Sequence, residues 1–205
     1  MGDSVLDQLD DALDALNTGD EALARSVVDG DQCINERYLE IEADCVDLVA
    51  LQQPVASDLR FVTASFKIAT DLERIGDLAM NLAGYSIAEN RGWTPALGVE
   101  AIGQDARGMV ADALAAYEVD DVDACREIAG RDDAIDALCR RASDQLVREL
   151  VEGETIEDTW AMERILGDVS RLLLTIRDVE RIADHAVNVA GRTCFAVEND
   201  TSLIV

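Results

Sequence analysis

The chain has 205 residues, 49% of them apolar and 4% aromatic, with 43 acidic against 17 basic side chains and a formal net charge of −26. Lys67 is its one lysine, and no basic stripe exists, which disfavours nucleic-acid binding. Acidic residues run along the whole length rather than in a tail, which reads as adaptation to a salt-rich cytoplasm such as that of a halophilic archaeon.

A mix rich in Ala, Leu, Val, Ile and Asp, with two prolines and no strand-like alternation, predicts an all-helical protein. In chain order, a first helix spans about Ser4 to Asn17, with Leu6, Leu9, Leu13 and Leu16 on its apolar face and Thr18-Gly19-Asp20 ending it. A short segment follows from Ala22 to Val28. A kink is expected at Gly30, then a long helix to Gln52 with a seam of Ile34, Leu39, Ile41, Cys45, Leu48 and Leu51. Pro54 suits the first turn of a third helix that runs to about Asn90. Asn90 to Pro95 reads as the linker between halves. The second half repeats the plan: a helix from Pro95 to Tyr117, one opened by Asp120-Asp121 and running to Val151, a turn at Gly153 to Thr155, and a last helix to Val197 capped by Thr155 or Asp158.

Five cysteines (Cys33, Cys45, Cys125, Cys139 and Cys194) with no C-x-x-C spacing read as reduced thiols packed in helix interfaces. No signal peptide opens the chain, and no apolar run approaches the roughly 18 residues a span needs, so a soluble, cytoplasmic protein is expected.

One phrase occurs twice. Asp71-Leu-Glu-Arg-Ile-Gly-Asp-Leu-Ala-Met-Asn-Leu-Ala83 returns as Asp178-Val-Glu-Arg-Ile-Ala-Asp-His-Ala-Val-Asn-Val-Ala190. Such a repeat predicts two similar halves. At helical spacing Glu73, Asp77 and Asn81 form one stripe, and Glu180, Asp184 and Asn188 another. Each glutamate interrupts an apolar seam at the same step: Leu59, Val62, Phe66, Ala69, Glu73 in one copy and Leu166, Val169, Leu173, Ile176, Glu180 in the other. Like charges about 5–6 Å apart at the β-carbon repel, and a carboxylate on a packing seam is costly unless paired or bound to a cation. Two readings stand: metal-binding carboxylates, or interhelical ion pairs to Arg74 and Arg181.

A second correspondence aligns Asp31 and Asn35 with Asp132 and Asp136, near the start of the second helix of each half. In an antiparallel bundle these would face Glu73 and Asp77, and Glu180 and Asp184. An Asp at such a position can also be a plain cap.

Gln53-Pro-Val-Ala-Ser-Asp-Leu-Arg60-Phe-Val followed by Leu72-Glu-Arg-Ile-Gly-Asp77, with Glu180-Arg-Ile-Ala-Asp-His-Ala-Val-Asn188, resembles the PhoU family of phosphate-uptake regulators over nearly the whole chain. The resemblance implies an all-α fold of two pseudo-symmetric antiparallel three-helix bundles, six helices in all, at 1–90 and 95–198 with a short tail at 199–205. It implies divalent or trivalent metal ions, multinuclear and of iron or zinc, on Asp31, Glu73 and Asp77 in one half and Asp132, Asp136, Glu180 and Asp184 in the other. An all-carboxylate set also suits Mg or Mn. Asn35, Asn81, His185 and Asn188 are further candidates, as ligands or at the rim. His185 lies about 100° round the helix from the stripe, which favours a rim or packing role. Asn35 stands where a carboxylate is expected, and the first helix is about two turns shorter than its counterpart.

The partner implied is the phosphate-importer ATPase or a signalling protein, and a homodimer stays open. The chain has no nucleophile–base pair and no phosphate-binding glycine loop, so it reads as a regulator and not an enzyme. The alternatives are metal storage or buffering, a di-metal carboxylate protein without a phosphate role, and a purely structural repeat.

Overall fold

A computed structural model describes residues 1–87, 97–152 and 159–204, the side chains of 159–161 excepted. Among these residues there are six helices and no strand. The expected linker at Asn90 to Pro95, the turn at Gly153 to Thr155 and the cap at Thr155 or Asp158 lie outside the described residues.

Helix α1 (Gly2–Thr18) ends on Gly19 in the left-handed region, φ 73°, where a side chain would be strained. Helix α2 (Glu21–Gln52) is capped by the Asp20 carboxylate, which accepts from the backbone of Ala22 and Leu23. It runs through Gly30 unbroken, against the expected break. A lone interior glycine costs about 1 kcal/mol, and Val27, Asp31 and Ile34 are buried on either side of it. Helix α3 (Ser57–Ile87) starts later than expected. Gln53 and Ala56 take positive φ, so Pro54 lies in the connection and not in a first helical turn.

Helix α4 (Val99–Glu118) likewise begins after Pro95, behind Gly98 at φ 68°. It has 20 residues against 17 in α1, a difference of less than one turn rather than two. Helices α5 (Val122–Glu152) and α6 (Thr159–Glu198) complete the second half, with Asp121 accepting from Ala124 at the start of α5.

One continuous core runs through both halves. Helices α3 and α6 cross its centre antiparallel: Asp71 meets His185, and Tyr85 meets Asp178. Helices α1 and α4 are antiparallel too, joined by a two-pronged Arg107–Asp10 pair at 2.9 and 2.7 Å and by Asn17–Glu100. The tail lies back on α6. Arg126 pairs with Glu198 and Asp200, and the Leu203 carbonyl lies 2.8 Å from where a Cβ on Gly191 would sit.

The α2 seam is only partly as expected. Ile34 is buried, but Leu39 is 59% and Leu51 80% exposed. Leu59, Leu166 and Leu173 are exposed as well. The cause is length: α1 and α4 are shorter than the hairpins they cover. Cys125, Cys139 and Cys194 are buried and Cys45 half-buried, whereas Cys33 is exposed and packs in no interface.

Candidate metal centre

In the second half, α5 places Asp132 and Asp136 one turn apart, and α6 brings Asp184 opposite them. One carboxylate oxygen from each lies within 4.8 Å of the other two. Asp132 Oδ1 is buried and has no hydrogen-bond partner. Burial pushes the Asp132 carboxyl up to about 6, helped by Asp184, Asp136, Asp133 and Glu180. Glu180, one turn before Asp184, is raised by burial and then by Asp136 and Asp184. Asp184 is raised by burial and then by Asp136. Repulsion between like charges at short range is the common cause after desolvation. Arg140 offsets only part of it, reaching Asp136 at 3.8 Å from the surface. An orphaned buried oxygen among converging carboxylates is a donor set for a hard cation, and the residues fit one. Cys139, the next residue on the same stripe of α5, is buried nearby, its thiol pushed up to about 12 by burial and by Glu180, Asp136 and Asp184.

The first half assembles the corresponding residues differently. Asp31 on α2 is buried and faces Glu73 and Asp77 on α3. Burial raises both α3 carboxyls; Asp77 then adds to Glu73, and Asp31 to Asp77. Yet Asp31 already has donors. Asn35 Nδ2 reaches it at 2.9 Å and Gln8 Nε2 at 3.4 Å. Arg74 bends along its own helix to Glu73 at 3.5 Å and Asp77 at 3.7 Å. It is not the link between helices that the ion-pair reading required. Arg181 is exposed, and its charge favours ionised Asp77 and Asp184 at longer range. Among the described residues, the three-carboxylate grouping occurs in the second half alone.

His185 points away from the carboxylate stripe. Its Nδ1 lies 2.9 Å from Asp71 of α3, and Asn188 donates to the same carboxylate at 3.3 Å. Asn81 is half-buried on α3. By the repeat, Asp178 is the counterpart of Asp71. It is fully buried and accepts from Tyr85 Oη at 2.8 Å and from Arg177. The first Asp of each repeated phrase therefore ties α3 to α6. Sequence reasoning passed over Asp71 and Asp178 although both stand in the repeat, and over Gln8, whose role depends on the register of α1 against α2.

Two similar helical halves joined along α3 and α6, with carboxylate stripes flanking the join, define the class of protein. The PhoU domain family matches residues 1–85 and 99–193. A phosphate-specific transport system accessory protein PhoU homolog of Pseudomonas putida is 36% identical over 200 residues, spanning 96% of this chain and 75% of that protein. The accessory protein PhoU of Escherichia coli K12 is 33% identical over 193 residues, 92% of this chain and 76% of that one. The crystal structure of PhoU from Pseudomonas aeruginosa superposes with a TM-score of 0.89 at 34% identity, covering 98% of this chain and 93% of that one. That of the phosphate transport system regulatory protein PhoU from Streptococcus pneumoniae gives 0.87 at 26% identity, covering 98% and 91%. The chain belongs to the PhoU family. No described helix is long and apolar enough to cross a membrane.

Proposed function

We propose that this chain is an accessory regulator of phosphate uptake, acting in the cytoplasm as a metal-loaded adaptor that contacts the phosphate-importer ATPase or a signalling protein, and that it is not an enzyme. The whole-chain likeness to proteins named as accessory to phosphate-specific transport carries the regulatory part. The buried, partnerless Asp132 oxygen among converging carboxylates supports the metal part.

Asp132, Asp136, Glu180 and Asp184 would hold the ion. A bound cation supplies the positive charge that these like-charged groups lack. Oxygen donors suit a divalent or trivalent hard ion such as Fe, Mg or Mn. In the first half Asp31, Glu73 and Asp77 already have Gln8, Asn35 and Arg74 beside them, so the second half loads first.

The test is capture of partners from a lysate of the source organism at molar salt. The intact chain is compared with one neutralised at Asp132, Glu180 and Asp184. An importer ATPase retained by the intact chain and lost by the neutralised one is the expected result. A metal-rich chain that retains no transport or signalling component would replace this reading with metal storage.

A further inference from the structure

We infer that the outer part of the α2–α3 hairpin is a docking groove for a basic, amphipathic helix of a partner protein. The argument starts from register. Gln8 of α1 bonds to Asp31 of α2, and its Oε1 lies 3.2 Å from the Cβ position of Gly76 on α3. Helix α1 runs antiparallel to α2 and parallel to α3. Its first residue is therefore level with Tyr38 and Ala69. Past that level α2 continues for about 20 Å (residues 39–52) without α1 against it, flanked by the first turns of α3 (57–63), whereas Ala64 and Ile68 further along α3 are buried.

The sequence there is not that of a solvated pair. Leu39, Val46, Leu48, Val49, Leu51, Val55, Leu59 and Phe61 are exposed, between 39% and 80%. Scattered apolar residues on a surface are ordinary, but at this tip exposed Leu48 and Phe61 open onto one shared cleft, as an interaction site requires. A cleft of about 330 Å³ opens between the two helices, lined by Leu48, Gln52, Pro54, Asp58, Phe61 and Val62. Tyr117, at the end of α4, walls one side by stacking on Phe61 at 6.1 Å and sharing a hydrogen bond with Ser65. A third helix here would continue the three-helix packing that α1 provides further down. An amphipathic helix laid in such a groove is a standard recognition mode.

The rim selects the charge of the occupant. Asp58 lines the cleft, and Glu40, Asp44 and Asp47 are exposed along the same stretch of α2. Of the basic residues nearby, Arg37 is already engaged with Glu40 at 2.7 Å, Lys67 lies over Phe66, and Arg60 is half-buried with its Nε out of solvent. A helix with an apolar stripe flanked by Lys or Arg complements this rim. A second copy does not, because it brings the same acidic rim and a net charge of −26. The inference deepens the adaptor reading and rests on it in one respect, that an adaptor needs a surface for a partner.

The test uses the full chain and a fluorescent Leu/Lys helical peptide of about 14 residues, long enough to fill the groove. A peptide of the same composition with its stripe scrambled is the control for bare charge. Titrations are run at molar salt, where general attraction to the acidic surface is screened. The striped peptide is expected to bind at least about tenfold more tightly than the scrambled one. Leu48→Ser/Leu51→Ser is expected to remove that preference, and Val147→Ser/Val151→Ser, at the opposite tip, to leave it intact. These side chains are all exposed, so circular dichroism melts should match the parent and separate lost binding from lost folding. Equal binding of the two peptides, no binding of either, or full binding by the Leu48/Leu51 variant overturns the inference. So does a dimer of the parent in sedimentation that the variant abolishes, since a second copy would then be the occupant. Failure of the lysate capture with this peptide result intact would count against the adaptor's partner and not against the groove.

Discussion

Asp132→Asn should stabilise the metal-free protein and destroy the stabilisation that metal gives. Burial and four neighbouring carboxylates raise the Asp132 carboxyl from 3.8 to about 6. At about 1.4 kcal/mol per pH unit, that shift sets a ceiling near 3 kcal/mol on the cost of ionising the group in the folded state. Water reaches the cluster through exposed Asp184, which screens the interaction and lowers the figure to about 1–2 kcal/mol. For a chain of this size that corresponds to a rise in Tm of about 3–6 °C. The sign follows from linkage. A carboxyl raised on folding stabilises the fold below its unfolded pKa, and that contribution is lost as pH rises through the folded value. Asparagine imitates the protonated form at every pH. The advantage of the variant is therefore absent below about pH 4, grows between 4 and 6, and is level above. Calorimetric melts in chelator at fixed high salt, from pH 4 to 8, read it directly, and the repulsion of the whole acidic surface cancels in the difference. Added Mn²⁺ or Fe²⁺ should then raise the parent's Tm and leave the variant's unchanged. A variant less stable than the parent at neutral pH in chelator would refute the reasoning, because Asp132 would then be a partnered anion.

Metal analysis of protein prepared without chelators should show Glu73→Gln retaining most of the parent's metal and Glu180→Gln losing most of it, given the Gln8, Asn35 and Arg74 contacts in the first half. Tyr85→Phe removes the hydroxyl that donates to fully buried Asp178, and urea unfolding should show a loss of about 1–3 kcal/mol. Gly191→Ala sets a methyl against the Leu203 carbonyl, so limited proteolysis should cut the C-terminal tail faster while the bundle persists. A maleimide should label Cys33 first; Cys125 and Cys139 should stay unlabelled until unfolding, since both are buried and pushed up to about 12.

The helices were legible because their signals are local. Asp20, Gly19 and Asp121 do at helix ends what capping rules require of them. The break expected at Gly30 failed because a glycine's local cost is small beside the packing of Val27 and Ile34. The repeat revealed the pairing of carboxylate stripes, since a spacing of four on facing helices needs only antiparallel packing to converge. What it concealed were the differences between halves. Whether Asp31 meets an amide or an empty space depends on where Gln8 falls, and that is set by the packing of α1 against two other helices. His185 shows the same limit: its place beside the stripe was clear, but its partner, Asp71, lies across the interface between halves.

The comparison of the halves bears on why the acidic stripes exist at all. If they were structural ion pairs, each would carry an arginine reaching in from a neighbouring helix. Arg74 instead stays on its own helix, and Arg181, exposed, acts on Asp77 and Asp184 only at longer range. The first half relieves its repulsion by other means, with the Asn35 amide at 2.9 Å from Asp31, the Gln8 amide beyond it and Arg74 on the α3 pair. The second half had the same start and has no such relief at Asp132, whose buried oxygen has no donor. A single amide at position 136, equivalent to Asn35, would provide one. Local conflicts of this kind are retained in proteins where they serve a site. The unrelieved cluster supports the proposal that a ligand from outside the chain supplies positive charge in the second half.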